Sequence, residues 1–164
     1  MSAPSTVPRV RRIVSGGQTG VDRAALDTAI AFQIEHGGWC PQDRRAEDGR
    51  IPDCYDLTET NSPSYPVRTR QNILDSDGTL ILHLGQLDRG SELTWQLAEE
   101  YGKPYQVTDL ISGDRPEPAL HWIATHGIEV LNVAGPRESS HPGIGRLAAH
   151  FLRQLVRKLD NAAP

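Results

Sequence analysis

The sequence predicts an α/β protein, a three-layer α/β/α arrangement in which helices cover both faces of a mostly parallel central sheet. Short apolar runs alternate with segments of helical periodicity, which is the pattern of βαβ units. The run 79–84 is apolar almost throughout, as in a strand that is buried on both faces. The chain of 164 residues fits one domain, and it has neither an internal repeat nor a linker between two cores.

The first βα unit begins with the apolar strand 12–14. A helix follows over about residues 21–34, with its apolar side chains on one face. Thr19 and Asp22 have the spacing of a capping box at the start of this helix, where Asp22 also suits the positive end of the helix dipole. A short second strand is expected to end at residues 39–40, because a polar, turn-forming segment follows it.

The polar segment 41–63 is too long for a routine connection, and loops of this length are usually functional or disordered. Regular alternation resumes after it, and five strands and five helices are predicted in all. The remaining elements are the helix 65–74, the strand 79–84, a helix from Gly90 that is closed by Gly102, the strand 105–107, the helix 120–125, the strand 129–133 and a last helix from about Pro142 to Leu155.

The composition excludes several classes of protein. The formal net charge of −4 argues against nucleic acid or an anionic membrane surface as the main partner. Cys40 and Cys54 have no metal-ligand spacing, so neither a disulfide framework nor a metal site is expected. No apolar stretch approaches the ~18–20 residues that span a bilayer. We therefore expect a cytoplasmic protein with a flexible tail, residues 1–9, before a single ligand-binding domain, residues 10–160.

The strongest functional feature is the glycine-rich turn between the first strand and the first helix, Ser15-Gly16-Gly17-Gln18-Thr19-Gly20. Glycine lets the backbone approach an anion closely, and the N–H groups at a helix start favour negative charge. The turn lacks the Gly-Lys-Ser/Thr of a P-loop and the glycine spacing of a dinucleotide fingerprint. A tight turn that serves only helix–strand packing is the alternative. We expect it to hold a phosphate-bearing small molecule.

Three other segments follow predicted strands and are candidates for the same site. They are the charged loop 41–48, the segment 85–94 at a helix start and the turn 134–139. Taken singly, each has a structural alternative: a solvated loop, an ordinary serine cap or a Gly-Pro turn. Open parallel sheets bind ligands at the carboxyl ends of their strands, where the strand order reverses. The shared position of these segments therefore predicts one ligand-binding rim, which Arg68 and Asn72 are placed to join.

The predicted ligand residues of this rim are Ser15, Gly16, Gly17, Gln18, Thr19, Gly20, Asp22, Arg23, Arg44, Arg45, Arg68, Gly90, Ser91, Thr94, Gly135, Pro136, Arg137 and Glu138. Arginine forks suit phosphate because they bind two oxygens at once. No nucleophile–base pair is evident from spacing. If the protein is an enzyme that cleaves a glycosidic bond, it needs a carboxylate near the sugar, and the candidates are Glu92, Asp75 and Asp77.

With these residues in view, the chain resembles the putative molybdenum carrier family, also called molybdenum cofactor carriers. The matching stretches are 13–27, 37–41, 44–49, 68–69, 75–81, 90–91 with 94, 102–104 and 130–139. The resemblance implies a Rossmann-like fold related to the cytokinin-activating phosphoribohydrolases of the lysine decarboxylase-like superfamily. It also implies that the ligand is the molybdenum cofactor, a pterin with a phosphate and a metal-binding dithiolene. Relatives of this kind often form dimers or tetramers, so a homo-oligomer is expected.

One departure bears on the choice between binding and catalysis. The phosphoribohydrolases carry a Pro-Gly-Gly-x-Gly-Thr segment followed by a catalytic acid, whereas residues 87–94 of this chain read LDRGSELT. The departure favours a non-catalytic carrier that stores or transfers the intact cofactor. The alternatives are an enzyme that cleaves the N-glycosidic bond of a nucleoside monophosphate and a nucleotide-binding sensor. We expect no fused effector domain, which counts against the sensor.

Overall fold

A computed structural model describes residues 9–112 and 115–162, so most of the predicted tail, residues 1–8, lies outside the described residues. The strands are β1 (Arg12–Val14), β2 (Glu35–Gly37), β3 (Trp39–Cys40), β4 (Arg45–Ala46), β5 (Gly49–Arg50), β6 (Thr58–Glu59), β7 (Gly78–His83), β8 (Tyr105–Asp109) and β9 (Val130–Ala134). The helices are α1 (Val21–Ala31), α2 (Tyr65–Leu74), α3 (Arg89–Glu100), α4 (Glu117–His126) and α5 (Ile144–Ala162).

Five parallel strands form the central sheet in the order β2-β1-β9-β7-β8. Helices α1, α4 and α5 cover one face, and α2 and α3 pack together over the other. Because side chains alternate along a strand, Leu80 and Leu82 of β7 enter the main apolar core beneath α1 and α5, whereas Thr79 and His83 face α2 and α3. The predicted α/β/α class with a mostly parallel sheet is confirmed.

The four central-sheet strands β1, β7, β8 and β9 lie close to their predicted positions, and a strand ends at Cys40 as predicted, but that strand is not part of the central sheet. The sheet strand is β2, and residues 39–40 form the separate strand β3, which pairs with β6. The two are separated at Gly38, whose φ of 123° is a conformation that side chains rarely adopt. The Asn72 side chain then makes two hydrogen bonds to the backbone of Trp39. It accepts the Trp39 N–H at 2.7 Å and donates to the Trp39 carbonyl at 2.9 Å.

The predicted start and end signals of the helices were partly wrong. Helix α1 ends at Ala31, because Gln33 adopts a left-handed φ of 57°. Its N-cap residue is Gly20, which has no side chain, and Thr19 bonds elsewhere, so there is no capping box. Helix α5 begins at Ile144 rather than Pro142, since Glu138 receives the N–H groups of Gly143 at 2.6 Å and Gly145 at 3.0 Å.

The long segment 41–63 folds into a compact lobe beside α1. The strand pairs β3–β6 and β4–β5 organise it, and a second apolar cluster fills it. The members of that cluster are Leu26, Cys40, Ala46, Ile51 and Tyr55. Burial raises the pKa of the Cys40 thiol, which keeps it protonated and unreactive. None of the helices in the two described ranges is long and apolar enough to cross a membrane.

Arg44 is the polar centre of this lobe rather than a ligand residue on its surface. The side chain is buried, and its guanidinium donates to the carbonyls of Ile51 at 3.1 Å, Pro52 at 2.8 Å and Tyr55 at 2.8 Å. These bonds replace backbone partners that an irregular loop lacks. The predicted phosphate role of Arg44 therefore has no support in its position, because its donors are used within the lobe.

Replacing Arg44 with alanine is expected to lower the free energy of unfolding by about 2–4 kcal/mol, because the carbonyls of Ile51, Pro52 and Tyr55 lose the charged donor that they share. Urea denaturation measures this loss, and limited proteolysis should cut the variant within residues 41–63 first. Arg50→Ala, which removes an exposed arginine of the same lobe, is the matched control. Equal stability of the Arg44 and Arg50 variants would contradict the structural role.

Candidate functional site

A cavity of about 410 Å³ opens at the carboxyl edge of the sheet, between the ends of β1 and β9 and the helices α2 and α3. Its size is within the ~300–1,000 Å³ range of small-ligand pockets. Eight of the predicted ligand residues line it: Gly16, Gln18, Asp22, Arg68, Gly90, Thr94, Gly135 and Arg137. The glycine-rich turn, the start of α3 and the turn after β9 therefore line one cavity together with α2, in agreement with the predicted rim. The loop 41–48 does not line it.

The glycine-rich turn does not present the free backbone donors that were expected of it. The N–H of Gln18 donates to Asp22 Oδ2 at 3.2 Å. The N–H of Thr19 donates to the side-chain oxygen of Gln18 at 3.0 Å, and the N–H of Glu47 donates to the same oxygen at 3.0 Å. The chain thus supplies its own anion, the Asp22 carboxylate, to the concave turn that usually receives a ligand anion.

Asp22 and Arg68 form a buried ion pair on the cavity wall. Their exposed fractions are 6% and 8%, and Arg68 Nη1 lies 3.3 Å from Asp22 Oδ2. The Arg68 guanidinium fills the space where a Cβ on Gly16 would stand, 2.5 Å from its Cζ, so a side chain at Gly16 would displace the guanidinium from this position. Burial raises the pKa of the Asp22 carboxyl, and the Arg68 charge and the Gln18 N–H oppose that shift.

Other residues of the glycine-rich turn do not line the cavity but support its wall through packing and hydrogen bonds. Ser15 Oγ donates to the Asp22 carbonyl at 2.9 Å. A Cβ on Gly17 would lie 2.6 Å from Leu57, and one on Gly20 would lie 2.5 Å from the carbonyl oxygen of Pro136. These glycines are therefore explained by close packing of the turn against the lobe and against the turn after β9.

Glu47, in the β4–β5 hairpin, joins the turn after β1 to the turn after β9. Its carboxylate accepts hydrogen bonds from the hydroxyls of Thr19 and Ser139 and lies 3.7 Å from Arg137 Nε. The hydroxyls of Ser139 and Thr19 lower the pKa of Glu47. Thr19 Oγ1 also accepts the N–H of Glu138 at 3.2 Å. Thr19 and Glu138 thus connect the two turns and do not line the cavity.

The predicted residues Arg23 and Arg45 also point to protein partners. Arg23 forms a two-pronged ion pair with Asp48 and donates from Nε to the Gly17 carbonyl at 3.1 Å, and Asp48 accordingly has a lowered pKa. Arg45 donates to Pro63 at 3.0 Å, and its guanidinium lies 4.7 Å from the ring centre of Tyr65, a residue that lines the cavity. Arg45 therefore touches the site through Tyr65.

The start of α3 differs from the prediction. Its N-cap residue is Asp88, whose carboxylate accepts the Ser91 N–H at 2.8 Å, so Ser91 is not the cap. Ser91 Oγ is buried, and no hydrogen-bond partner reaches it within the described residues. Thr94, which lines the cavity, donates to the Gly90 carbonyl at 2.9 Å.

The three carboxylates proposed for catalysis do not reach the cavity. Glu92 is exposed in the first turn of α3 and is absent from the cavity lining. Asp75 and Asp77 precede β7, at the opposite, amino edge of the sheet. Asp75 accepts the Trp39 indole N–H at 2.6 Å, and Asp77 accepts the N–H of Val130 at 2.8 Å. The geometry needed for glycosidic cleavage is therefore not assembled by these side chains.

Sequence reasoning missed several residues of the cavity wall. Tyr65 and Thr69 line it from the face of α2 that also carries Arg68 and Asn72, and Asp88, Arg89 and Asn132 line it from the start of α3 and from β9. The i, i+4, i+7 spacing of the α2 residues was a usable signal, since it places polar side chains on one helical face with Arg68. Over the residues described, no group of three His, Cys, Asp or Glu side chains is arranged to hold a metal ion.

The α/β/α fold with a parallel central sheet is Rossmann-like, and a cavity at the carboxyl edge of such a sheet is the usual position of a ligand site. Residues 13–156 match the family model described as the circularly permutated YpsA SLOG family, and the chain belongs to that family. It is also similar to a crystal structure described as a putative molybdenum carrier protein from Syntrophus aciditrophicus SB. The two are 45% identical over 91% of this chain and 96% of that chain, with a TM-score of 0.88. No curated protein matches the chain.

Proposed function

We propose that the chain binds the molybdenum cofactor in this cavity and carries it without chemical change. Binding without catalysis is supported by the two carboxylates in the cavity wall, because both already have partners within the protein. Asp22 is paired with Arg68, and Asp88 caps α3, so both are used to hold the protein together. A hydrolase needs a carboxylate that is free to act on substrate or water.

The charges of the cavity suit a phosphorylated ligand. Three arginines line it, Arg68, Arg89 and Arg137, against the two carboxylates of Asp22 and Asp88. Arg89 and Arg137 are exposed at the cavity and can turn their guanidinium forks towards a phosphate. Because the dithiolene of the cofactor supplies its own sulfur ligands to molybdenum, the protein has to hold the pterin and the phosphate, and it needs no metal site of its own.

The name of the structural relative supports the choice of cargo. That protein is described as a molybdenum carrier, and its similarity extends over nearly the whole of both chains. A nucleoside-monophosphate N-glycosidase is the alternative function, since phosphate and a planar ring would occupy the same cavity. The two functions differ in one observable, the release of a free nucleobase.

Anaerobic calorimetry with molybdenum cofactor, molybdate, tungstate and nucleoside monophosphates tests the proposal, with nucleobase release followed in the same samples. We expect cofactor binding without turnover and an affinity loss of about tenfold or more in Arg89→Ala and in Arg137→Ala, because each removes a charged phosphate donor. Arg153→Ala, an exposed arginine of α5 outside the cavity, is the control and should bind normally. Nucleobase release would show that the protein is an enzyme and not a carrier. Binding of molybdate without binding of the cofactor would show that the ligand is an oxyanion and not a pterin.

A further inference from the structure

We infer that Asp22 and Arg68 read the lactam edge of the ligand's ring, the side on which a ring N–H lies next to a carbonyl. This inference rests on the proposed function and adds to it the part of the ligand that is recognised. Both residues line the cavity, and both are more than nine-tenths buried. The pair offers a hydrogen-bond acceptor and a donor side by side.

The hydrogen bonds of the pair leave capacity for a ligand. Those from the Gln18 N–H and from Arg68 Nη1 both end on Oδ2 of Asp22, and the Gly16 N–H faces the same carboxylate. A carboxylate has about four lone-pair sites, so Oδ1 can accept further N–H groups. Arg68 has five N–H donors, and within the described residues its side chain donates one hydrogen bond, from Nη1.

The orientation of Arg68 is fixed from two sides. Asp22 holds one end of the guanidinium, and the ring centre of Tyr65 lies 5.3 Å from its Cζ. Gly16, which has no Cβ, leaves the room that the guanidinium occupies. A guanidinium held in this way donates within its own plane, so it favours a ligand whose acceptor oxygen lies in that plane.

The ring edge that complements the pair has donors opposite Asp22 and a carbonyl opposite Arg68. Pterin and guanine both have this edge, with an amino group and a ring N–H for the carboxylate and a carbonyl for the guanidinium. Hypoxanthine keeps the ring N–H and the carbonyl but lacks the amino group. Adenine in the same orientation places a ring lone pair against Asp22 and an amino group against Arg68, so both contacts become repulsive.

The site leaves room for a phosphate beyond the ring. Strand β9 lies between β1 and β7, so the turn after β1 and the start of α3 are about two strand spacings, ~10 Å, apart. A ring at Asp22 and Arg68 leaves Arg89, which follows β7 in the chain and lines the same cavity, free for a phosphate on the ring's substituent. This arrangement assigns the ring and the phosphate to different walls.

The direct test is calorimetry of the wild-type chain with guanosine, inosine and adenosine monophosphates and with neopterin monophosphate. We expect the guanosine and neopterin phosphates to bind at least about tenfold more tightly than the adenosine phosphate, with the inosine phosphate between them, because hydrogen bonds to charged groups contribute factors of this size. Equal binding of the guanosine and adenosine phosphates would overturn the inference and leave the carrier proposal standing. No binding of these ligands or of molybdenum cofactor would overturn both.

Two variants separate ring recognition from a structural role. Asp22→Asn keeps an oxygen for the Gln18 N–H but offers an N–H to the ligand, so the preference for guanosine over adenosine phosphate should fall at least about tenfold. Arg68→Lys keeps the charge and loses the planar fork, and it should weaken binding of the guanosine, inosine and neopterin phosphates, which all carry the lactam carbonyl. Asp27→Asn, on the same helix but bonded to Tyr55 outside the cavity, is the matched control. An unchanged preference in folded Asp22→Asn protein would contradict the inference.

Discussion

Gly20→Ala is expected to lower the free energy of unfolding by about 3–5 kcal/mol, the sum of backbone strain and a steric clash. Gly20 has a φ of 80°, which an alanine adopts only with strain. A Cβ there would also lie 2.5 Å from the Pro136 carbonyl oxygen and 2.8 Å from the Glu138 nitrogen. Both neighbours are backbone atoms of the turn after β9, so neither can rotate away as a flexible side chain does.

Urea denaturation measures the loss, and Gly49→Ala separates its two causes. Gly49 also has a left-handed φ, 110°, but no atom lies within 4 Å of the position of its Cβ. We expect this control to lose only about 1–2 kcal/mol, from strain alone. If the two variants lose the same stability, the contact between the turns after β1 and β9 does not constrain Gly20.

Arg68→Ala is expected to cost about 3–5 kcal/mol, because it leaves the buried Asp22 carboxylate without its partner. The loss should depend on pH. Burial already raises the pKa of Asp22 and Arg68 opposes that shift, so removal of Arg68 raises the pKa further. A carboxyl whose folded pKa exceeds its unfolded value of ~3.9 is more protonated in the folded state, so stability falls as pH rises through that interval.

Denaturation of the wild type and of Arg68→Ala from pH 4 to pH 8 should therefore show a deficit that is smallest in acid and grows towards neutrality. The double variant Arg68→Ala, Asp22→Asn removes the titrating group, and it should recover much of the neutral-pH stability and lose the pH dependence. A deficit that is constant across the range, or that the second substitution does not relieve, would mean that lost packing rather than the unpaired carboxylate is the cause.

The parts of the fold that depend on local pattern were predictable. The apolar run of β7 and the glycine at residue 102, with its φ of 63°, marked a strand and a helix end that the structure contains. The break between β2 and β3 was missed because it depends on Asn72, which lies 33 residues from Trp39. Local periodicity carries no information about such a distant partner.

The candidate site was predictable as a location but less so in its contacts. Strand-end turns meet at one edge of a parallel sheet, which is why eight predicted residues share the cavity. Residue type alone did not show that the Asp22 carboxylate accepts a backbone N–H of the glycine-rich turn. Nor did it show that the Arg44 guanidinium donates to carbonyls of its own lobe. Asp22 and Arg68 are 46 residues apart, and only the folded chain brings them together.

The strand order has a consequence for how the chain is made. Strand β9 pairs with β1 on one side and β7 on the other, yet it is the last of the five strands to leave the ribosome. Until it emerges, β1 and β7 each lack the partner that joins the β1–β2 pair to the β7–β8 pair. Open edges are sites of aggregation. Synthesis of β9 therefore covers the inner edges of β1 and β7 together and adds its own residues to the cavity wall, so the sheet is joined and the cavity is lined in the same step.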